Sequence, residues 1–292
     1  WSSDVCSSDL ILNSRDRANM PSSPTIYFLT VLLQLIQNIG GLTLRSLHSH
    51  GRWGIFMANG LGGLFRAPFR WNHFLTELRS IGFESIVLIS FTAVFTGMVL
   101  GLQGYNTLKQ YGSEGVLGIG VAISLFTELG PVLTALLLTG RSGSAMCAEM
   151  GVYRTSEQTA ALESMAIDPY NYLVGPKILA SLVASPILAF LFCHIGVLGA
   201  YLAGVILLGV DPASFYHGVV RALENPDLVR MCLSKSLVFG FLMVMVCAFK
   251  GHDVLRRKEK GTRAVAKATT EAVVYTSVMV LLWDYLLTSL IL

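Results

Sequence analysis

Apolar runs long enough to cross a bilayer recur along this chain, and they leave it few folds. Ile86 to Leu102 carries no charge, Val116 to Leu138 carries only Glu128, and Cys232 to Phe249 and Val273 to Leu292 are of the same kind. Tyr172 to Val210 continues for about 39 residues, where one helical crossing needs roughly 20. In hydrocarbon every backbone polar group must be bonded within the protein, so such runs become helices. The composition agrees: 53% of residues are hydrophobic, 13% are charged and the mean hydropathy is +0.61, whereas soluble domains carry about 25% charge. The chain reads as an all-α integral membrane protein. A formal charge of +3 gives nucleic-acid binding no electrostatic basis. Cys6, Cys147, Cys193, Cys232 and Cys247 show neither a disulfide framework nor metal-ligand spacing, and no cofactor is implied.

The opening WSSDVCSSDL lacks the basic start and small-residue end of a signal peptide. Residues 1–19 are read as a foreign or disordered leader, with a natural start at Met20. From Leu29 to Phe69, apolar residues alternate with Arg45, His48, His50, Arg52 and Arg66, a pattern suited to helices lying in the interface. Residues 20–80 are therefore expected to form an interfacial helical region with an elbow helix on the cytoplasmic leaflet, and 81–292 the membrane domain. The long third run could be one tilted helix or two tight spans. Charge decides the count. One crossing there puts Arg66, Arg70, Arg79, Arg141, Arg154, Lys250, Arg256, Arg257, Lys258, Lys260, Arg263 and Lys267 on one face, leaving Lys109, Arg221 and Arg230 opposite. That is the positive-inside pattern. Five transmembrane helices are expected, with the C-terminus periplasmic.

Within the second run, Glu128 and Pro131 stand near the middle. An acidic group at a helix centre costs roughly 2.5–3.5 kcal/mol on insertion scales, so it faces a bundle interior or a cavity. Pro131 lacks a backbone donor and frees an upstream carbonyl, which a neighbour or cavity must satisfy. Glu128 either bonds a neighbouring helix or lines a polar pathway, and the pathway is the preferred reading. Asp284 and Lys235 are further ionisable groups that lipid would not tolerate unpaired; the sequence does not pair them. His194 is read as a buried imidazole bonded to a neighbouring helix. GRSGS at Gly140 to Ser144 is out of register with a nucleophile elbow and follows a helix rather than a strand. No phosphate-loop motif occurs, so the chain is not argued to bind nucleotide itself. Gly97, Gly101 and Gly104, and Gly196, Ala200 and Gly204, form small faces suited to close helix approach. Gln103 and Tyr111 bracket the outer end of the first span.

Beyond the second span, Thr155 and Gln158 match a capping box. A short helix is predicted from there through Leu162 and Met165 until Asp168 and Pro169 end it. Held below the membrane, it would either fill a soluble partner's groove or lie on the headgroups.

ELGPVLTALLLTGRSGSAMCAEMG followed by RTSEQTAALESMAIDPYNYLVGPK, with GMVLGLQGY at Gly97 to Tyr105 and KATTEAVV at Lys267 to Val274, closely resembles the signature of MlaE-type permeases, the membrane subunits of MCE-linked lipid ABC transporters. The resemblance runs from about Leu33 to the C-terminus. It implies a non-catalytic permease that moves phospholipids between the inner and outer membranes of a bacterium and maintains outer-membrane asymmetry. It also implies a multi-pass homodimer in the inner membrane, bound to a cytoplasmic ATPase subunit and capped outside by periplasmic MCE-domain lipid-binding proteins. By motif position it implies cavity or gating roles for Leu100, Gln103, Tyr111, Glu128 and Asp284, and a coupling helix to the ATPase containing Thr155, Glu157, Gln158, Leu162, Glu163 and Met165. Thr127 and Glu271 depart from the family pattern, standing where some relatives place basic residues. Two other classes compete: a stand-alone ion-coupled carrier using Glu128 as its proton site, and a scaffold that anchors envelope proteins.

Overall fold

The computed structural model describes residues 40, 48, 51–64, 71–256, 259 and 261–291. The leader at 1–19 and much of the 20–80 region, including most of the segment read as an elbow helix, lie outside the described residues. Residues 51–64 are helical.

The membrane-spanning part begins with α1 (Trp71–Ile81), an amphipathic helix with Trp71 and Leu75 exposed and Ile81 buried. It stops at Gly82, whose N–H bonds Leu78 O at 2.9 Å, and the chain turns into α2 (Ile86–Lys109). Then come α3 (Glu114–Thr155), the short α4 (Gln158–Ser164), α5 (Tyr170–Leu207), α6 (Pro212–Leu223), α7 (Pro226–His252) and α8 (Thr262–Ile291). Five helices are long and apolar enough to cross a membrane. The ambiguous third run is one helix, with Pro186 accommodated inside it. The five-span expectation stands.

Helix α6 was not anticipated from the sequence. Its start has a clear local cause: Pro212 fits the first helical position, where no amide bond is needed, and Asp211 accepts from the Ser214 amide at 2.7 Å and the Ser214 hydroxyl at 2.8 Å. Those bonds, the backbone one first, hold the Asp211 carboxyl below the usual carboxylate range. Asn225 caps α7 in the same way, accepting from the Asp227 amide at 3.1 Å.

Small residues set the helix spacing, as expected where van der Waals contact rather than hydrophobicity drives association. Gly97 lies against the backbone of Gly196, and Gly101 against that of Ala200, so a Cβ at Gly97 would collide with main chain. On the other side of α5, Ser181 donates to Gly240 O at 2.9 Å and Ser185 to Ser236 O at 2.6 Å, tying α5 to α7. Ala135, Phe239, Leu242 and Val280 close the core between α3, α7 and α8. Helix α7 is the axis of the bundle: 72% of its most apolar stretch is buried, against 28% in the first span and 11% in α8. Phe91, Phe95 and Val99 on α2 and Val278, Leu281 and Leu282 on α8 are left exposed.

Candidate functional site: a buried ion triad

The axis helix carries a lysine with no exposed surface. Four acceptors surround its three N–H donors within hydrogen-bond distance: Asp284 Oδ1 at 2.8 Å, Glu128 Oε2 at 2.9 Å, Thr288 Oγ1 at 2.7 Å and Thr127 O at 2.8 Å from Lys235 Nζ. Each partner has a local reason to be there. Residues Leu125–Leu129 form a π-helical turn, a feature common at functional sites, and Gly130 N bonds back to Leu125 O. In α-helical register the amide of residue 131 would bond Thr127 O; Pro131 has none. Lys235 supplies the missing donor. Thr288 lies one turn beyond Asp284, and its hydroxyl reaches Glu128 Oε1 at 3.2 Å and Asp284 O at 2.8 Å. Helices α3, α7 and α8 are thus joined through one ammonium group.

Two carboxyl groups against one ammonium leave the cluster with a formal excess of one negative charge. Burying ions costs several kcal/mol each unless geometry and extra hydrogen bonds compensate, and here Lys235 Nζ, both Glu128 carboxylate oxygens and Asp284 Oδ1 have partners. The cluster is also half open: side-chain exposure is 0% for Lys235, 19% for Asp284 and 40% for Glu128. That geometry holds a polar patch on an otherwise apolar wall. Among the described residues no cluster of His, Cys, Asp and Glu could hold a metal ion. Ser144 bonds the carbonyls of Gly140 and Arg141 in its own helix.

A second buried lysine was missed from the sequence. Lys177, 2% exposed, bonds Glu77 of α1 at 2.5 Å and Glu149 of α3 at 2.7 Å, and Tyr153 donates to Glu149 at 2.8 Å. Its signal was a lone lysine early in an apolar run. This cluster lines a cavity of about 280 Å³ together with Gln158, Leu162 and Met165 of the short helix and its C-terminal end.

The other site expectations divide. Glu128 and Asp284 are brought together. Leu100 is half-buried on α2, Gln103 and Tyr111 are exposed, and none of the three bonds to the triad. The short helix exists, but its capping box does not form: Thr155 ends α3, donating to Gly151 O and Val152 O, and Glu157, at φ 59°, precedes Gln158, the first residue of α4. The helix ends at Ser164, with Ala166 also at φ 59°, before Asp168 and Pro169 are reached. Continuation of α3 through Thr155 used the hydroxyl the cap needed. Met165 is 69% exposed and Leu162 half-buried; Glu163 is exposed. His194 differs too: it is exposed and bonds Phe190 O of its own helix at 2.8 Å, with its ring against Phe126 and Phe190. Glu271 lies 3.8 Å from Lys250.

The family profile described as "Permease MlaE" matches residues 74–290, from α1 to the end of α8. The chain belongs to the MlaE permease family. Among MlaE-family and related permeases, a Rickettsia bellii protein named "Probable ABC transporter permease protein" is 35% identical over 260 residues, covering 89% of this chain and 98% of the relative. The Haemophilus influenzae "Intermembrane phospholipid transport system permease protein MlaE" is 34% identical over 263 residues, with 89% and 98% covered. A Synechocystis protein named as a probable ABC transporter permease is 34% identical over 213 residues, with 73% and 79% covered. The triad and the Lys177 cluster both fall inside the MlaE match. Membership and the five apolar helices make this chain a multi-pass membrane protein of a permease family.

Proposed function

We propose that this chain is the lipid-translocating subunit of an ATP-driven phospholipid transporter in a bacterial inner membrane, maintaining outer-membrane lipid asymmetry. It works as a homodimer, with an ATPase subunit on α4 and MCE-domain proteins on the far side, where its C-terminus lies. The observation that carries this reading is the half-open ion triad: a polar patch joining three apolar helices inside an MlaE-family permease. The exposed faces of α2 and α8 support a second copy enclosing a chamber in front of it. Leu100 and Gln103 on α2, with Tyr111 just beyond its end, would gate that chamber, while Glu128 and Asp284 line it.

Translocation then needs only differential binding. ATPase closure pushes on α4, and the chamber alternates between a state that accepts acyl chains and one that expels them. The Lys177 cluster supports this route, because it ties α1, α3 and α5 together beside α4.

The test is Met165→Glu, a charge placed on an exposed side chain of the coupling segment. Affinity purification of the permease should then recover no ATPase subunit, and lipid transfer by the reconstituted complex should stop. Full recovery of both would sink the proposal. Transport by the purified permease alone, driven by a proton gradient, would favour the carrier reading built on Glu128.

A further inference from the structure

A cavity of about 910 Å³ opens beside the triad, between α3, α6 and α7. Ile119 and Ile123 form an apolar wall, and Thr127, whose carbonyl Lys235 holds, connects that wall to the ion cluster. The cations in the lining are Arg221 and Arg230; the acid is Asp227. Both arginines are exposed residues, and no ion pair within 4.0 Å is found for either among the described residues. Two bases against one acid make this chamber positive, while the adjoining triad carries a net negative charge. On the five-crossing topology both arginines also sit on the face where the positive-inside rule leaves few bases, so topology does not account for them.

We infer that Arg221 and Arg230 bind the phosphate of the transported lipid at the mouth of the chamber, with the acyl chains along the Ile119 and Ile123 wall; this rests on the lipid-transport reading above. Guanidinium is the side chain suited to this task, because its planar fork donates two parallel bonds to phosphate oxygens. A volume of this order lies within the range typical of small-molecule sites, about 300–1,000 Å³. The excess negative charge of the triad, exposed through Glu128, repels an anion and keeps the phosphate on the arginine side. Headgroup selection is thereby separated from the triad.

The experiment uses the full complex in detergent micelles and the anisotropy of two acyl-labelled probes: phosphatidylglycerol, and a diacylglycerol with the same tails and no phosphate. The wild-type complex should prefer phosphatidylglycerol by about ten-fold or more, the factor corresponding to 1.4 kcal/mol. The double variant Arg221→Gln, Arg230→Gln should bring the two probes to within about two-fold, because charge-assisted bonds to phosphate are lost while the tail contacts stay. Lys109→Gln, outside the chamber, should leave the preference intact. If the glutamine pair fails to fold, Arg221→Lys with Arg230→Lys keeps the charge and loses the fork, and a partial loss of preference is expected. An undiminished preference in either pair overturns the inference. Inorganic phosphate is the third arm, and its displacing phosphatidylglycerol at equal concentration would assign the arginines to a soluble anion and also overturn it. A wild-type complex that binds neither lipid probe refutes the transport reading itself, a result distinct from equal binding of both.

Discussion

Replacing Lys235 with methionine tests the triad most directly. The substitution keeps most of the side-chain volume and removes the only cation, leaving Glu128 and Asp284, both within 2.9 Å of the former ammonium position, facing each other. Thr127 O loses its donor as well. Breaking a buried ion pair by removing one partner costs about 3–5 kcal/mol. Glu128 keeps 40% of its side chain exposed, so solvent relieves part of that penalty and the lower end, about 3 kcal/mol, is expected. At roughly 2–4 °C per kcal/mol for a domain of this size, the midpoint of thermal unfolding should fall by about 6–12 °C. Tryptophan fluorescence of the detergent-solubilised protein would follow it. The ionic reasoning makes a second demand. Combining Lys235→Met with Glu128→Gln and Asp284→Asn removes every charge, and much of the lost stability should return, because an uncharged cluster no longer strands a carboxylate in the bundle. A methionine variant as stable as wild type, or a neutral triple variant no better than the single one, would refute the argument.

Two further outcomes follow from the same structure. Lys177→Met should destabilise the fold by about 3 kcal/mol, since Glu149 is partly solvated, seen as a lower unfolding midpoint, and should raise proteolysis around α1, whose Glu77 loses its tie to α5; adding Glu77→Gln and Glu149→Gln should restore both readouts. Gly97→Ala should destabilise by about 1–3 kcal/mol through overpacking against the Gly196 backbone, seen as a lower midpoint, whereas Gly120→Ala, with open space at its Cβ, should not.

Much of the fold was legible because the bilayer limits the choices. Length and apolarity alone require helices, and the distribution of Lys and Arg chose five crossings over six, as the unbroken Tyr170–Leu207 helix bears out. The small-residue faces announced close helix approach, since only backbone without side chains can come so near; that the faces of α2 and α5 meet each other came from the structure. Local chemistry was less dependable: the Thr155 to Gln158 box is a genuine capping pattern, yet α3 runs through it, and tertiary packing decided which helix took the hydroxyl.

Composition and periodicity determined that Glu128, Lys235 and Asp284 had to be compensated, because an unpaired charge in hydrocarbon is too costly to leave. Which groups compensate which was decided only by the tertiary structure. Residues 128, 235 and 284 lie on three helices, and helix packing angles and rotations are set by side-chain contacts spread over the whole bundle. The same holds for Lys177, whose two carboxylates come from distant segments of the chain. A sequence fixes what each helix cannot leave exposed; only packing determines the partner that it meets.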